Sequence, residues 1–167
     1  MRKMTEENLK NAYAGESQAH VKYLAFADAA DKEKLANVAR LFRANSFAEQ
    51  VHAINHLRTL GAIGKTAENL GAAMEGENFE VEEMYPAYKL VAENQGEKTA
   101  GIMFHAAMES ERVHARLYKR AKESVEKGKD LEFFPIHVCS MCGFTVEGEA
   151  PEKCPICGAP REKFVKF

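Results

Sequence analysis

The sequence predicts an all-α four-helix bundle followed by a small metal-binding domain that contains four cysteines. Residues 1–126 contain a single proline, Pro86, and are rich in alanine, glutamate, leucine and lysine. Residues 128–167 contain four prolines, four glycines and all four cysteines. Apolar residues of the first part recur every three or four positions, which is the period of amphipathic helices. We therefore predict a helical bundle at 1–128, a linker at 129–136 and a four-cysteine domain at 137–167.

Four helices are predicted in the first part, at about 5–31, 33–60, 77–94 and 97–126. Gly61, Gly96 and Gly128 follow the last three of these segments, and glycine is a common helix stop. Residues 61–76 contain several glycines and are predicted to form a connection with one or two helical turns. Alternating patterns rich in β-branched residues are absent from the first part, so no strands are expected there.

The composition excludes some classes of function. The net charge is −2 and the pI is about 6.3, which gives no electrostatic basis for binding nucleic acid. No apolar run approaches the length of a membrane-spanning helix, and the first residues show no signal peptide. We expect a cytoplasmic protein that binds neither nucleic acid nor membranes.

Several glutamates and histidines occupy the apolar stripes of the predicted helices. Glu16 lies in the first stripe, Glu49 and His52 in the second, and the pair Glu111 and His114 in the fourth. Buried carboxylates are rare unless they are paired or bind a metal, and the i,i+3 spacing places each Glu-x-x-His pair on one helix face. Carboxylate and imidazole ligands suit iron or manganese. Two such pairs, with single glutamates from two other helices, form the ligand pattern of ferritin-like di-iron bundles.

Other interpretations of these residues stay open on pattern alone. A Glu-x-x-His pair is a weak signal by itself, because such pairs also occur on solvated helix faces. Glu16 could be a hydrogen-bonded buried carboxylate. Glu77 and Glu80 belong to an acidic run that could face solvent.

The four cysteines form two Cys-x-x-Cys-Gly pairs that are separated by eleven residues: Cys139 with Cys142, and Cys154 with Cys157. In an intracellular protein this spacing indicates a metal site rather than disulfides. Four thiolates bind zinc or a single iron in a tetrahedral arrangement, and the spacing does not distinguish the two metals. The glycine after each pair permits a positive φ, which lets backbone N–H groups approach the sulfurs.

At these motifs, and over essentially its whole length, the sequence resembles the rubrerythrin family. The matches are the segments 14–17 (AGES), 76–80 (GENFE) and 84–86 (MYP), the two Glu-x-x-His pairs, and the two cysteine pairs, which look like the knuckles of a rubredoxin. The resemblance implies a ferritin-like four-helix bundle with a rubredoxin-like domain after it.

The resemblance also implies roles for the site residues. The bundle would hold two irons bridged by oxo and carboxylate groups, with Glu49 and Glu111 as the bridging carboxylates. One iron is expected to exchange Glu80 for His52 on reduction. The remaining implied residues are terminal ligands and hydrogen-bonding tyrosines, namely Glu16, Glu77 and His114, and Tyr23 and Tyr85.

The implied activity is that of a non-haem di-iron peroxidase, which reduces hydrogen peroxide to water under oxidative stress. One iron in the four-cysteine domain, where zinc is also possible, would relay electrons from a rubredoxin-type carrier and its NAD(P)H-dependent reductase. At least a homodimer is implied, in which helices could be exchanged between subunits. The alternatives are a ferroxidase or iron-storage protein built on the same bundle, and a zinc-ribbon interaction protein.

Overall fold

The structure is a computed structural model that describes residues 1–132 and 134–167. It confirms the predicted fold class, because long helices form the first part of the chain and a small cysteine-containing domain follows them. The helices are α1 (Lys3–Lys32), α2 (Ala36–Thr59), α3 (Thr66–Phe79), α4 (Tyr85–Gln95) and α5 (Lys98–Glu126). The chain divides into two compact units, Met1–Gly64 and Lys65–Phe167, and each is described by itself. None of the helices described is both long and apolar enough to cross a bilayer.

The first unit is a hairpin of α1 and α2. The turn between the two helices includes Lys34, whose φ of 63° is a left-handed conformation that reverses the chain. Ala27, Ala30 and Ala39 are buried, and Phe42 packs against them. Because alanine side chains are small, the two helix backbones can approach closely at this point.

The second unit begins with a helical segment, residues 66–95, whose middle part is π-helical. The π-helical part is Glu80–Met84, between α3 and α4. It lies directly before Tyr85 and Pro86, and proline has no N–H with which to close an α-helical hydrogen bond. A π-helical turn shifts the side chains after it around the helix axis, and such turns often occur at functional sites.

The predicted start of the third helix is wrong. The sequence predicts a connection over residues 61–76, whereas α3 begins at Thr66. The Lys65 N–H donates a 2.6 Å hydrogen bond to the Glu68 carboxylate, and this bond caps the first turn. Buried Gly71 faces Lys122 of α5, and an added Cβ would lie 3.5 Å from the Lys122 Nζ. The helix therefore forms through Gly71 despite the cost of glycine in a helix, about 1 kcal/mol per residue. The other predicted helix ends agree with the structure to within three residues.

The C-terminal domain is built on a three-stranded antiparallel sheet with the order β2-β1-β3, where β1 is Ile136–Cys139, β2 is Thr145–Glu147 and β3 is Phe164–Lys166. Cys139 ends the central strand and is 1% exposed. Gly143 and Gly158 have φ values of 80° and 73°, which confirms the positive φ expected after each cysteine pair. The two cysteine pairs thus lie in two tight turns, and their sulfurs face one another.

We expect Ala27→Leu to lower the free energy of unfolding by about 1–3 kcal/mol, because added methylenes overpack a closely packed contact. Ala27 is 0% exposed in the α1–α2 contact. Ala29→Leu is the matched control, since Ala29 lies in the same helix with an exposed side chain, and its effect should stay within about 0.5 kcal/mol. Urea unfolding followed by circular dichroism measures both variants. Equal free energies for the two would show that the contact at Ala27 is loosely packed.

Candidate metal centres

The end of α3 and the middle of α5 bring Glu77, Glu111 and His114 together. One ligand atom from each residue lies within 4.8 Å of the others. The Nδ1 atom of His114 is 2.6 Å from a Glu111 oxygen and 3.8 Å from a Glu77 oxygen. Because Glu111 and His114 are three residues apart on α5, both side chains project from the same face. The three half-buried side chains form a site open to a single cation between them.

The two carboxyls of this cluster share a proton. Burial, followed by the hydrogen bond to Glu111 and the Glu111 charge, raises the pKa of Glu77 to about 7. Burial also raises the pKa of Glu111, and the charge of Glu80 adds to the effect. Two close carboxylates cannot both ionise at low cost, so below about pH 7 Glu77 keeps its proton and donates it to Glu111.

Glu80 and Tyr85 lie next to this cluster, at the start of the π-helical segment and directly after its end. Burial raises the pKa of Glu80, and the charge of Glu77 raises it further. Burial likewise raises the pKa of Tyr85, and the charges of Glu80, Glu111 and Glu77 contribute. Glu80 is outside the group of ligand atoms that lie within 4.8 Å of one another. Glu80 therefore lies close enough to interact electrostatically with the cluster, but it is not one of the three grouped ligands.

The first unit holds a cluster of the same composition, made of Glu16 on α1 and Glu49 and His52 on α2. Their ligand atoms also lie within 4.8 Å of one another, and the His52 Nδ1 is 3.1 Å from a Glu49 oxygen. The hydrogen bond between the carboxyls raises the pKa of Glu16 and lowers the pKa of Glu49. Each unit therefore contains one Glu-x-x-His pair and one single glutamate, with a hydrogen bond between the carboxyls.

Tyr23 lies in an aromatic cluster of the first unit. Its ring centroid is 6.3 Å from that of Phe26 and 6.2 Å from that of Phe42. The ring of Tyr23 is therefore fixed by aromatic neighbours on both α1 and α2.

Tyr118 is a site residue that the sequence did not predict. Burial raises its pKa, and the charges of Glu77 and Glu111 raise it further, so its hydroxyl is near both carboxyls. Tyr118 follows His114 by four residues on α5, so helical spacing could have indicated it. A tyrosine on an apolar stripe usually packs in a core, and for this reason the sequence alone did not distinguish it.

The two Glu–Glu–His clusters fit iron. Each offers carboxylate oxygens and one imidazole nitrogen, a donor set that suits iron and other divalent first-row metals. The proton shared by Glu77 and Glu111 would be released when a cation binds, because metal ligands must be deprotonated. A cation would thus remove the repulsion that the shared proton relieves in the protein alone.

The four cysteine sulfurs form a cage of the size that a tetrahedral metal needs. The Sγ atoms of Cys139 and Cys157 are 3.7 Å apart, and those of Cys142 and Cys154 are 3.6 Å apart. Metal–sulfur bonds of about 2.3 Å in a tetrahedron give sulfur–sulfur edges of about 3.8 Å. A disulfide would require about 2.05 Å, and all four cysteines are free.

Backbone N–H groups point at these sulfurs. Phe144 donates to Cys142, Ala159 donates to Cys157, and Cys154 accepts two such hydrogen bonds. Burial raises the pKa of the Cys142 thiol. At Cys154 burial also acts to raise the pKa, but backbone hydrogen bonds, together with those from Cys157 and Cys142, give a net lowering. Hydrogen bonds to sulfur stabilise thiolates and tune the reduction potential of iron–sulfur sites, so a single iron fits this cage.

The helices and their sites define a class of protein, the non-haem iron proteins that combine a carboxylate-rich helical bundle with a rubredoxin-like domain. Comparisons with known proteins agree with this class. The family model described as Rubrerythrin matches residues 7–122, and the model described as Rubrerythrin, rubredoxin-like domain, matches residues 137–165. The chain belongs to the rubrerythrin family, as the resemblance predicted.

Individual relatives cover nearly the whole chain. Rubrerythrin-2 of Clostridium acetobutylicum is 39% identical, over 98% of this chain and 97% of that protein. Nigerythrin of Nitratidesulfovibrio vulgaris is 36% identical, over 98% of this chain and 86% of that protein. A solved structure of nigerythrin in its fully reduced, all-ferrous state matches with a TM-score of 0.57 and 34% identity, over 98% of this chain and 86% of that one. This protein is therefore a di-iron oxidoreductase with a rubredoxin-like domain.

We expect the metal-free protein to become less stable as the pH rises from about 4.5 to about 7. Between these values the folded protein binds more protons than the unfolded chain, because the pKa of Glu77 is raised from 4.5 to about 7. After allowance for solvent screening, the expected loss is about 1–2 kcal/mol of unfolding free energy. Urea unfolding of metal-free protein across this pH range measures it.

Glu77→Gln should flatten this pH dependence, while Glu82→Gln, at an exposed position on the neighbouring π-helical turn, should leave it unchanged. If Glu77→Gln keeps the full dependence, the proton is not held by the Glu77–Glu111 pair.

Proposed function

We propose that this protein is a non-haem di-iron peroxidase that reduces hydrogen peroxide to water, with electrons relayed through an iron in the four-cysteine domain. The observation that carries the proposal is the presence in one chain of two matched Glu–Glu–His clusters and a four-sulfur cage. The clusters suit a pair of irons, and a four-thiolate iron transfers one electron at a time. The relatives named rubrerythrin and nigerythrin support the class on which the proposal is built, a di-iron protein with a rubredoxin-like domain.

The proposed organisation is a di-iron bundle at 1–128, a linker at 129–136 and a four-cysteine iron domain at 137–167. Glu49 and Glu111 would be the carboxylates that bridge the two irons. Glu80 and His52 would replace one another at one iron. The other proposed ligands are Glu16, Glu77 and His114 in the bundle, and Cys139, Cys142, Cys154 and Cys157 in the cage.

The reduction of hydrogen peroxide to two waters consumes two electrons and two protons. When bound, the iron pair would supply the electrons that cleave the O–O bond. Burial and nearby carboxylates raise the pKa of Tyr85 and of Tyr118, so both phenols stay protonated and can donate hydrogen bonds to a peroxide oxygen. In the first unit, Tyr23 is the tyrosine proposed to donate such a hydrogen bond. His52 has a side chain that is 55% exposed within the chain and is held by Glu49 at 3.1 Å, an arrangement that lets its ring turn.

The proposed electron source is a rubredoxin-type carrier with its NAD(P)H-dependent reductase, in the cytoplasm and under oxidative stress. Cys157 is exposed, whereas Cys139 and Cys154 are buried. The sulfur cage therefore has one edge that a carrier protein can approach closely.

We also propose a homodimer in which helices are exchanged between subunits. A ferritin-like bundle needs one long crossover connection. The links after α1 and after α4 are short turns, so the crossover must join α2 to α3. From Thr59 to Thr66 the chain can span at most about 25 Å, whereas α2, with 24 residues, is about 36 Å long. A complete bundle of this topology would therefore combine α1 and α2 of one copy with α3 to α5 of a second.

The peroxidase proposal is tested by stoichiometric re-oxidation under anaerobic conditions. The purified iron-loaded protein is reduced until the visible ferric–thiolate absorption of the four-cysteine site disappears, and hydrogen peroxide is then added. We expect the absorption to return much faster than it does with dissolved oxygen. A return with oxygen alone would favour a ferroxidase, and the lack of any ferric–thiolate absorption would identify the metal of the four-cysteine site as zinc.

In the same assay, His52→Ala should slow the return of the absorption with peroxide about 10²-fold or more, the lower range for losing a positioned acid–base group. His105→Ala is the matched control, because His105 is exposed on α5 and belongs to neither cluster. Equal rates for His52→Ala and the wild type would contradict the proposed exchange of His52 and Glu80.

Helix exchange is tested by complementation between two inactive chains. One chain carries Glu16→Ala with Glu49→Ala, the other carries Glu77→Ala with Glu111→Ala, and the heterodimer is purified with two different tags. If the bundle combines units from different chains, one bundle of this heterodimer has both clusters intact, holds a pair of irons and reacts with peroxide. If each bundle is made by one chain, every bundle lacks the glutamates of one cluster, so none holds the pair and the reaction with peroxide is lost. Light scattering that shows a monomer would also contradict the exchange.

A further inference from the structure

The two ring nitrogens of His114 face different elements of the second unit. Nδ1 lies on the side of the carboxyls, 2.6 Å from Glu111 and 3.8 Å from Glu77. Nε2 lies 2.7 Å from the Oγ1 atom of Thr145, at the start of β2 in the C-terminal domain. His114 is therefore held at both nitrogens, by its own helix on one side and by the sheet domain on the other.

The hydroxyl of Thr145 can accept a hydrogen bond from His114. Its own hydrogen is directed to the Gly143 carbonyl oxygen, at 3.2 Å, so its lone pairs remain for the imidazole. The 2.6 Å hydrogen bond between Nδ1 and Glu111 contains a proton that a cation would replace. With the remaining ring proton on Nε2, the lone pair of Nδ1 then points at the carboxyl side, where the cation would be bound. A metal-ligating histidine commonly donates its other N–H to a fixed acceptor, which sets both the tautomer and the ring orientation.

The position of Thr145 is fixed by its surroundings. Its side chain is 4% exposed, and β2 is paired with the central strand β1. Arg120 of α5 makes a 2.8 Å ion pair with Glu147 of β2, and its guanidinium lies 4.0 Å from the ring centroid of Phe134. These contacts hold the start of the sheet domain against the same helix that carries His114.

The two histidines of the Glu-x-x-His pairs differ in this respect. Among the described residues, the hydrogen bond of the His52 ring is to Glu49, and its side chain is 55% exposed. His114 has a buried acceptor on its second nitrogen and is 28% exposed. Among the described residues, the ring of His114 is thus held at both nitrogens and the ring of His52 at one.

We propose that Thr145 is a positioning residue for His114: it accepts the Nε2–H hydrogen bond and thereby presents Nδ1 to the cation position between Glu77 and Glu111. This inference rests on the proposed metal-binding function of that cluster. It makes the rubredoxin-like domain a structural part of the carboxylate site, since Thr145 lies two residues beyond the glycine of the first cysteine knuckle.

The test uses the full-length protein with its four-cysteine cage filled with zinc, and Zn²⁺ is then titrated into the bundle. Thr145→Val keeps the shape of the side chain and its β propensity but removes the acceptor. We expect the affinity for Zn²⁺ to fall about 10- to 100-fold, the usual effect of losing such a partner. Thr145→Ser should restore it. Thr59→Val is the control, because the Thr59 hydroxyl bonds to Asn55 within α2.

The ring ¹⁵N signals of His114 supply a readout that a general loss of stability would not change in the same way. In the zinc-loaded wild type we expect a directly protonated Nε2 and a metal-shifted Nδ1, and in Thr145→Val an altered Nε2–H signal. Unchanged ring signals together with wild-type affinity in Thr145→Val would overturn the inference.

The proposed function can fail separately from this inference. The wild-type protein could bind Zn²⁺ through Nδ1 and lose affinity on Thr145→Val, yet fail to react with peroxide. This result would support the role of Thr145 and contradict the peroxidase proposal. If the wild-type protein binds no Zn²⁺ in the bundle, this result would contradict both the metal site and the proposed role of Thr145.

Discussion

Carboxylates held next to one another on half-buried helix faces repel, and the rest of the structure depends on how this repulsion is relieved. In the second unit Glu77 and Glu111 share one proton below about pH 7, and in the first a hydrogen bond to Glu49 raises the pKa of Glu16. A shared proton is a weak substitute for a cation, because it is lost as the pH rises. The same geometry that destabilises the protein alone therefore favours metal binding.

The two clusters have the same composition but different surroundings. In the second unit the π-helical segment brings Glu80 and Tyr85 next to the cluster, and Thr145 holds the second nitrogen of His114. This difference agrees with the proposed exchange of Glu80 and His52 at one iron only. The ring of His114 is held at both nitrogens, so it turns less readily than the ring of His52, which is held at one. The two irons would then react differently because their histidine ligands, although the same in type, are held by different numbers of hydrogen bonds.

Much of the site could be predicted because it is encoded by short spacings. An i,i+3 spacing brings Glu49 next to His52 and Glu111 next to His114 on any α-helix, and two Cys-x-x-Cys-Gly turns bring four sulfurs together. The start of α3 was not predicted, since the glycines of residues 61–76 were interpreted as turn signals, although Gly71 is buried within the helix. The π-helical turn also escaped prediction, because its hydrogen-bond pattern has no simple period in the sequence.

The sequence by itself determined the fold class, the family and the kinds of ligand, because residue type, helical period and motif spacing are local properties of the chain. Only the tertiary structure decided which carboxyls share a proton, that Tyr118 lies near Glu77 and Glu111, and which nitrogen of His114 faces them. These features join residues of different elements over short distances, as in the contact of His114 with Thr145 at 2.7 Å. Electrostatic and hydrogen-bond energies change steeply over such distances, so they follow from the packing of the elements and cannot be inferred from spacing along the chain.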